Sequence, residues 1–354
     1  MIAWPKTWKP SPIGVDIGAR SVKLLQLDQT QTKVLEFGRW QFTTEFGAAA
    51  RDDEIVEAIA GLRESKRFRG RAAVMCVSPP DLVALSIRVP KSRPEDLDAL
   101  IGAEIESRLP FPRDEAEVRH IDVGEVRQGE SPRRELIVLA CHRPLLDRRL
   151  HQLDQAGLRA VAVDAQPLAI LRAFKKQDRR DRDQTARLMV VHVGASGSSV
   201  VIAQGSDVRL VKYVGVGGFD FDRATSQELG ISLADATALR WQSGDRRHDE
   251  RDPEIGRCVG EAVRPVVEEL ARELAMCMRY HSVTFRGRPI DRIVLSGSES
   301  SEPLRESLAS RLDMKIEAGD PLRSFEKPGR PGRNGQWDVV AGLALRCAPE
   351  NRTE

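Results

Sequence analysis

Aromatic residues are scarce in this sequence of 354 residues. They make up 5% of it, and two of them are tyrosines. Nucleic-acid grooves combine a clustered basic stripe with aromatic side chains on which bases stack. Arginine is abundant here, but acidic residues alternate with it and the net charge is +2. We therefore expect no nucleic-acid partner.

Cysteine pairs with the spacing of a metal site are also missing. None of the cysteines stands in a C-x-x-C arrangement, and their number is odd. This pattern argues against structural zinc and against a disulfide framework. The five residues are Cys76, Cys141, Cys258, Cys277 and Cys347. We interpret them as reduced thiols, mostly in the core of a cytosolic protein.

Long apolar runs are absent as well. No stretch approaches the roughly 18 apolar residues of a membrane span. The first residues also lack the apolar segment of about 7–15 residues that a signal peptide carries. Hydrophobic residues nevertheless make up 41% of the chain, enough for a large core. A chain of this length is expected to form two or more domains.

One pattern occurs twice, and the turn glycines of its two copies, Gly18 and Gly194, are 176 positions apart. Residues 13–27 and residues 188–202 each predict a buried strand, a turn of small residues and a returning strand. Gly18 and Gly194 stand at equivalent positions of the turns, where glycine can take positive φ and let backbone amides approach an anion. The repeat predicts a duplicated fold that grips a phosphate chain from both sides.

Between the two copies the pattern changes. Residues 82–164 predict a compact strand–helix–strand–strand–helix–strand unit. Its first helix has Ser92 and Glu95 at capping-box spacing and ends at the segment 109–112, Leu-Pro-Phe-Pro.

Together these motifs resemble the actin-like ATPase superfamily, and within it the PilM family of type IV pilus assembly. The layout is also similar to that of FtsA and of the cytoplasmic part of the GspL proteins of type II secretion. The segment from Arg88 to Pro112 discriminates best, since sugar kinases and heat-shock chaperones lack it. The matching segments are 14–23, 88–90, Glu104, 109–112, 230–236, 293–297 and 341–346.

The resemblance implies an α/β actin-like ATPase fold with two duplicated RNase H-like halves and an inserted FtsA/PilM-type 1C α+β subdomain. Subdomain 1A would comprise residues 1–81 and 165–186, and the 1C-like insertion residues 82–164. Residues 187–354 would form the second half, 2A and 2B, with the C-terminal helix returning toward the first half.

The resemblance also implies ATP and Mg²⁺ as ligands. Asp16 would hold Mg²⁺ through a water molecule, because this ion prefers oxygen ligands and keeps most of its waters. The remaining candidate contacts to the nucleotide are Gly18, Ala19, Arg20, Ser21, Lys23, His192, Gly194, Ala195, Ser196, Arg240, Gly297 and Ser298. For Arg20 and Lys23, exposure to solvent is the alternative interpretation.

Two of these motifs depart from the family pattern. His192 stands where the family usually has an acidic residue, and a histidine is a poor partner for Mg²⁺. It could donate to a phosphate oxygen or be a buried, hydrogen-bonded residue. Glu299 brings a charged side chain to a position where backbone often faces the purine. Since no residue is a convincing catalytic base, we name no catalytic residue and expect at most slow ATP hydrolysis.

The function implied by the resemblance is that of a scaffold at the cytoplasmic face of the inner membrane. Its partner would be the cytoplasmic N-terminal peptide of a PilN-like bitopic membrane protein, held near residues 83–113. The segment 110–112 either contacts that peptide or packs on its own core. Contacts with pilus motor ATPases and self-association stay open.

Two alternative functions remain. A nucleotide-free adaptor in a machine like type II secretion is favoured by His192 and Glu299, whereas Asp16 and Gly18 speak against it. An active ATPase or kinase of the same fold is the other alternative, but the sequence shows no catalytic aspartate beside a sugar-binding loop.

Overall fold

The computed structural model describes residues 11–91, 96–128, 131–177, 185–245, 252–285, 289–327, 329, 332 and 334–346. The predicted capping pair Ser92 and Glu95 lies outside these residues. The strands are β1 (Ile13–Ile17), β2 (Ser21–Leu27), β3 (Val34–Gln41), β4 (Ala72–Val77), β5 (Leu82–Pro90), β6 (Ala116–Gln128), β7 (Ser131–His142), β8 (Arg159–Ala165), β9 (Arg187–Val193), β10 (Ser198–Gln204), β11 (Asp207–Val214), β12 (Arg292–Ser296) and β13 (Ile316–Ala318). The helices are α1 (Arg51–Ser65), α2 (Leu97–Ile105), α3 (Arg143–Gln155), α4 (Gln166–Lys175), α5 (Gly218–Leu229), α6 (Leu233–Asp245), α7 (Pro253–Thr284), α8 (Glu302–Leu312) and α9 (Asp338–Ala344).

Two five-stranded sheets have the same topology. Their strand orders are β3-β2-β1-β4-β8 and β11-β10-β9-β12-β13. In both sheets the central strand pairs antiparallel with the strand that follows it in sequence and parallel with the strand on its other side. The duplication predicted from the repeated hairpin is therefore confirmed at the level of whole sheets.

The strands of the two hairpins lie inside their sheets because they bury side chains on both faces. Every residue of β2 is buried. Because successive side chains of a strand point to opposite faces, Val22 and Leu24 join the core beneath α1, whereas Leu25 and Leu27 join the core beneath α9. Strands that are buried on both faces read as continuous apolar runs, and the hairpin pattern shows such runs.

The described residues group into two compact units. The first covers residues 1–77, 146–177 and 321–354, and it holds the sheet centred on β1. The second covers residues 78–145 and 178–320, and it holds the sheet centred on β9. The C-terminal helix α9 belongs to the first unit. The subdomain boundaries expected from the sequence stay a prediction.

A three-stranded antiparallel sheet, ordered β5-β7-β6, lies in the second unit. Helix α2 packs on it through Ile101 and Ile105, which meet Ile87 and Leu136. The elements follow the order predicted for residues 82–164, with one difference. Strand β8 pairs with β4 in the first five-stranded sheet instead of closing the small one, and its residue Val163 packs against the core beneath α1.

Among the described residues, no helix combines the length and the apolar character that crossing a membrane requires. The longest is α7, with 32 residues.

Helix α9 approaches its neighbour α4 so closely that only glycine fits at one position. A Cβ atom on Gly342 would lie 1.8 Å from the backbone oxygen of Ala169. The carbonyl of Gly342 also accepts a hydrogen bond of 2.8 Å from Arg172. The two helices are thus held together along their backbones.

We expect Gly342→Ala to lower the free energy of unfolding by about 3 kcal/mol, the upper end of the usual range for overpacking, since backbone cannot give way as a side chain can. Gly260→Ala is the matched control, because that exposed position of α7 has nothing within 4 Å of an added Cβ. It should gain about 0.5–1 kcal/mol from helix propensity. Urea denaturation of both variants checks the pair, and equal effects would contradict it.

Candidate functional site

The first predicted phosphate hairpin joins β1 to β2 through a tight turn. The amide of Gly18 donates to the carbonyl of Ser21 over 3.0 Å, and Ala19 and Arg20 form the half-buried tip. Gly18 does not adopt positive φ. An added Cβ would lie 3.3 Å from the Ser21 oxygen, so the turn is tight at this position. The expected positive φ is therefore wrong for Gly18, and the approach of its backbone to an anion stays a prediction.

Asp16 and Lys23 form a buried ion pair within this hairpin. They stand opposite each other in the antiparallel register of β1 and β2. The Lys23 Nζ donates to Asp16 Oδ2 over 2.9 Å, and the two side chains are 7% and 5% exposed. The alternative of a solvent-exposed Lys23 is wrong. Asp16, the candidate magnesium residue, already has a cation supplied by its own strand partner.

The second predicted phosphate hairpin joins β9 to β10. Its turn closes through a hydrogen bond of 2.9 Å from the amide of Gly194 to the carbonyl of Gly197. Gly194 also lacks positive φ, and a Cβ there would lie 3.0 Å from the Gly197 oxygen. The imidazole of His192 lies beside the same turn and is almost fully buried. It offers no carboxylate oxygen to a magnesium ion.

The start of helix α5 fixes this second turn. The amides of Gly218 and Phe219 donate to the carbonyls of Gly194 and Ala195, both over 2.9 Å. The hydroxyl of Tyr213 donates to the carbonyl of Ser196 over 2.9 Å. Three consecutive carbonyls of the turn are thus held by the fold, so its backbone is preorganised.

The loop after β12 carries Gly297 and Ser298, two candidate contacts to the nucleotide, and packs on the end of β9. Gly297 has a φ of 100°, and a Cβ on it would lie 2.3 Å from the carbonyl oxygen of Val193. The amide of Glu299 donates to that carbonyl over 3.0 Å, and Ser298 between them is half-buried. The candidate residues of the second half therefore lie close together around one strand end.

Arg240, one of the candidate contacts to the nucleotide, is held by two carboxylates. It donates to Glu299 Oε2 over 2.7 Å and to Asp222 Oδ1 over 2.9 Å. Burial opposes its charge, but Glu299 and Asp222 outweigh burial and raise the pKa of the guanidinium above its ordinary value. Arg240 is a permanent cation whose charge is used within the fold.

Sequence reasoning missed Asp222. It lies one residue after the buried Phe221 in α5, and it is itself buried. The signal available in the sequence was an acidic residue beside the apolar face of a helix, where an unpaired charge would be costly. Nothing in the sequence showed that Arg240, 18 residues later, would be its partner.

No group of three or more histidine, cysteine, aspartate or glutamate side chains is arranged to hold a metal ion in the part of the chain that the structure describes. The candidate for Mg²⁺ thus remains the single carboxylate of Asp16.

Comparison with known proteins decides the family. A protein-family model described as type IV pilus assembly protein PilM matches residues 14–347. The chain belongs to this PilM family. The match runs through both hairpins and the three-stranded sheet, so no large part of the fold lies outside it.

Solved structures agree with this membership. A structure of a PilM–PilN type IV pilus biogenesis complex is similar with a TM-score of 0.79 and 22% identity, covering 95% of this chain and 98% of that one. The ethanolamine utilization protein EutJ from Carboxydothermus hydrogenoformans follows with a TM-score of 0.60 and 13% identity, covering 95% and 90%. A protein with an actin-like ATPase fold from Bacteroides thetaiotaomicron has a TM-score of 0.50 and 8% identity, covering 98% and 100%.

These similarities confirm the predicted fold. The chain has the actin-like ATPase fold, with the duplicated five-stranded sheets that its two hairpins predict. Because the identities are below 25%, the neighbours show the fold and leave the ligand to be argued from the residues.

Asp16 and Lys23 give a direct test of the first hairpin. Removing one partner of a buried ion pair leaves an uncompensated charge and costs about 3–5 kcal/mol. We expect Lys23→Met to destabilise the protein by that order and the double variant Asp16→Asn, Lys23→Met to recover much of the loss. Urea denaturation measures the cycle.

An exposed ion pair provides the control. Lys91 and Glu125 lie 2.7 Å apart, with side chains 72% and 61% exposed, so Lys91→Met should leave the denaturation midpoint nearly unchanged. Additive losses in the Asp16 and Lys23 double variant would show that the two residues act independently.

Proposed function

We propose that this protein is a PilM-like scaffold of the type IV pilus inner-membrane assembly platform. It binds the cytoplasmic N-terminal peptide of a PilN-like bitopic membrane protein, which keeps it at the cytoplasmic face of the inner membrane. The observation that carries the proposal is the family match over residues 14–347. The similar fold in a PilM–PilN complex supports it.

The three-stranded sheet is the proposed binding surface for the peptide. Strand β5 is an edge strand of this sheet, and an extended peptide can add to such an edge. Residues 83–86 of β5 are half-buried, so their side chains keep some surface for a partner.

We propose that the Leu-Pro-Phe-Pro segment that follows α2 adds an aromatic residue to the binding surface, at the end of β7 where His142 lies. Phe111 is half-buried and stacks on His142 with ring centroids 5.2 Å apart. His142 is held in turn by Glu115, whose Oε2 lies 2.7 Å from its Nε2. The ring of Phe111 is therefore positioned by its neighbours without being covered by them, which suits it to peptide contact.

ATP with Mg²⁺ is the ligand proposed for the hairpins, and the residues fit it only in part. The tight turns at Gly18 and Gly194 suit phosphate groups, and Asp16 suits a magnesium-bound water. When bound, the metal would offset the charge of the phosphates. Lys23 already neutralises Asp16, however, and His192 supplies no second carboxylate. We therefore propose weak nucleotide binding and at most slow hydrolysis.

A nucleotide-free adaptor, in a pilus or in a machine like type II secretion, is the second candidate function. The pairing of Glu299 with Arg240 favours it, because the charge of Arg240, a candidate contact to the nucleotide, is already used by a carboxylate of the chain. The two candidates differ in nucleotide binding but share the peptide-binding scaffold.

Calorimetric titration with a synthetic peptide tests the scaffold proposal. The peptide is the cytoplasmic N-terminal segment of the PilN-like protein of the same organism. We expect Phe111→Ala to weaken binding at least about tenfold, a loss of about 1.4 kcal/mol. Ala84→Arg on β5 should weaken peptide binding by a similar factor, because it places a large side chain at the strand edge.

Phe46→Ala is the matched control, because this phenylalanine is 51% exposed and belongs to the other compact unit. It should bind the peptide as the natural protein does. If the natural protein fails to bind the peptide, or all three variants bind equally, the proposed surface is wrong. Thermal denaturation of each variant separates lost contacts from lost folding.

A further inference from the structure

We infer that Glu299 is a built-in occupant of the nucleotide cradle in the second half, and that its side chain must leave before a nucleotide binds there. This inference rests on the proposed use of the hairpins for nucleotide. It concerns a carboxylate of the chain itself, held between the loop after β12 and the start of helix α5.

The position of the carboxylate is set by the N-terminus of helix α5. A Cβ atom on Gly218 would lie 2.5 Å from the Glu299 carboxyl carbon, so the carboxylate packs directly on this glycine. The backbone amides and the dipole of a helix N-terminus favour a negative charge. The Glu299 carboxylate lies beside this helix start, although the amides of Gly217, Gly218 and Phe219 have other acceptors, and its side chain is 0% exposed.

Arg240 holds the carboxylate there. Its Nη2 donates to Glu299 Oε2 over 2.7 Å and to the carbonyl of Gly218 over 3.4 Å. Its Nε donates to Asp222. The guanidinium thus connects the loop after β12 to α5, and its charge is shared between two carboxylates.

The local charge opposes an incoming phosphate. Asp220 caps the start of α5, since its Oδ2 accepts from the Gly217 amide over 2.9 Å. Together with Asp222 and Glu299 it makes three carboxylates, against Arg240 and the more exposed Arg223. A nucleotide would have to displace Glu299 or meet its negative charge at short range.

In the proposed opening of the site, the side chain of Glu299 moves and the backbone of its loop stays in place. The backbone of the loop is fixed to β9 through the amide of Glu299 and through the contact of Gly297 with Val193. Arg240 keeps Asp222 as a partner when Glu299 leaves. We call the ion pair of Glu299 and Arg240 the latch. The latch is closed while the two side chains are in contact and open when Glu299 has moved away, and its opening leaves no unpaired buried cation.

The test is calorimetric titration of the purified protein with ATP, with and without Mg²⁺. We expect Glu299→Ala to bind ATP at least tenfold more tightly than the natural protein. Glu306→Ala is the matched control, because it removes an exposed carboxylate from the following helix. It should bind as the natural protein does.

Glu299→Gln separates charge from bulk, since it keeps the size of the side chain. It should fall between the natural protein and Glu299→Ala. Unchanged or weaker ATP binding in both Glu299 variants, with thermal denaturation showing them folded, would overturn the inference. An equal gain in Glu306→Ala would overturn it too.

Peptide binding measured on the same samples distinguishes this result from the scaffold proposal. If the latch is wrong but the scaffold right, the natural protein binds the peptide and the Glu299 variants gain no ATP affinity. If the scaffold is wrong but the latch right, ATP affinity rises while the peptide is bound by none of them.

Discussion

The buried carboxylates at the two predicted phosphate motifs are each paired with a cation from their own half of the molecule. An ionised carboxylate loses its hydration when it is buried, and that loss is large unless hydrogen bonds and an opposite charge replace the water. Asp16 has Lys23 on the paired strand, and Glu299 and Asp222 share Arg240. The first pairing lies within one hairpin, whereas the second links α5, α6 and the loop after β12.

In the first half, the pairing follows directly from the hairpin. Asp16 and Lys23 are opposite residues of an antiparallel pair, so a turn of fixed length brings their side chains to one face. The cation cannot leave without exposing a carboxylate in an apolar sheet. Any ion that binds Asp16 must therefore compete with a partner held at an effective concentration far above that of free magnesium.

Much of the fold was predictable because the sequence is locally consistent. Two apolar runs around a turn of small residues fixed the central hairpins, and the repeat gave the duplication of the sheets. The place of β8 was not predictable, because a short apolar strand fits either sheet, and its partner β4 is distant in sequence. Within the site, the turns at Gly18 and Gly194 were found, although neither glycine adopts positive φ.

The charge network of the second half was not predictable for a related reason. Arg240, Asp222 and Glu299 come from α6, α5 and the loop after β12, and their contact is set by tertiary packing. Periodicity places each residue on a face of its own element, but it does not say which faces meet. A single sequence therefore shows the unusual residue, Glu299, without showing the cation that makes it tolerable.

The same requirement gives a physical reason for the two departures from the family pattern to occur together. His192 and Glu299 lie around the same strand end, since β9 pairs with β12 at His192 and Ser296 and the loop after β12 folds back on Val193. An acidic residue at position 192 would add a carboxylate to a region that already holds Asp222 and Glu299 around Arg240, with Asp220 paired to Arg223 at the start of α5. A histidine side chain adds no negative charge there. Relative to the pattern that the resemblance implies, the chain lacks a carboxylate at position 192 and has one at position 299, where Arg240 pairs with it.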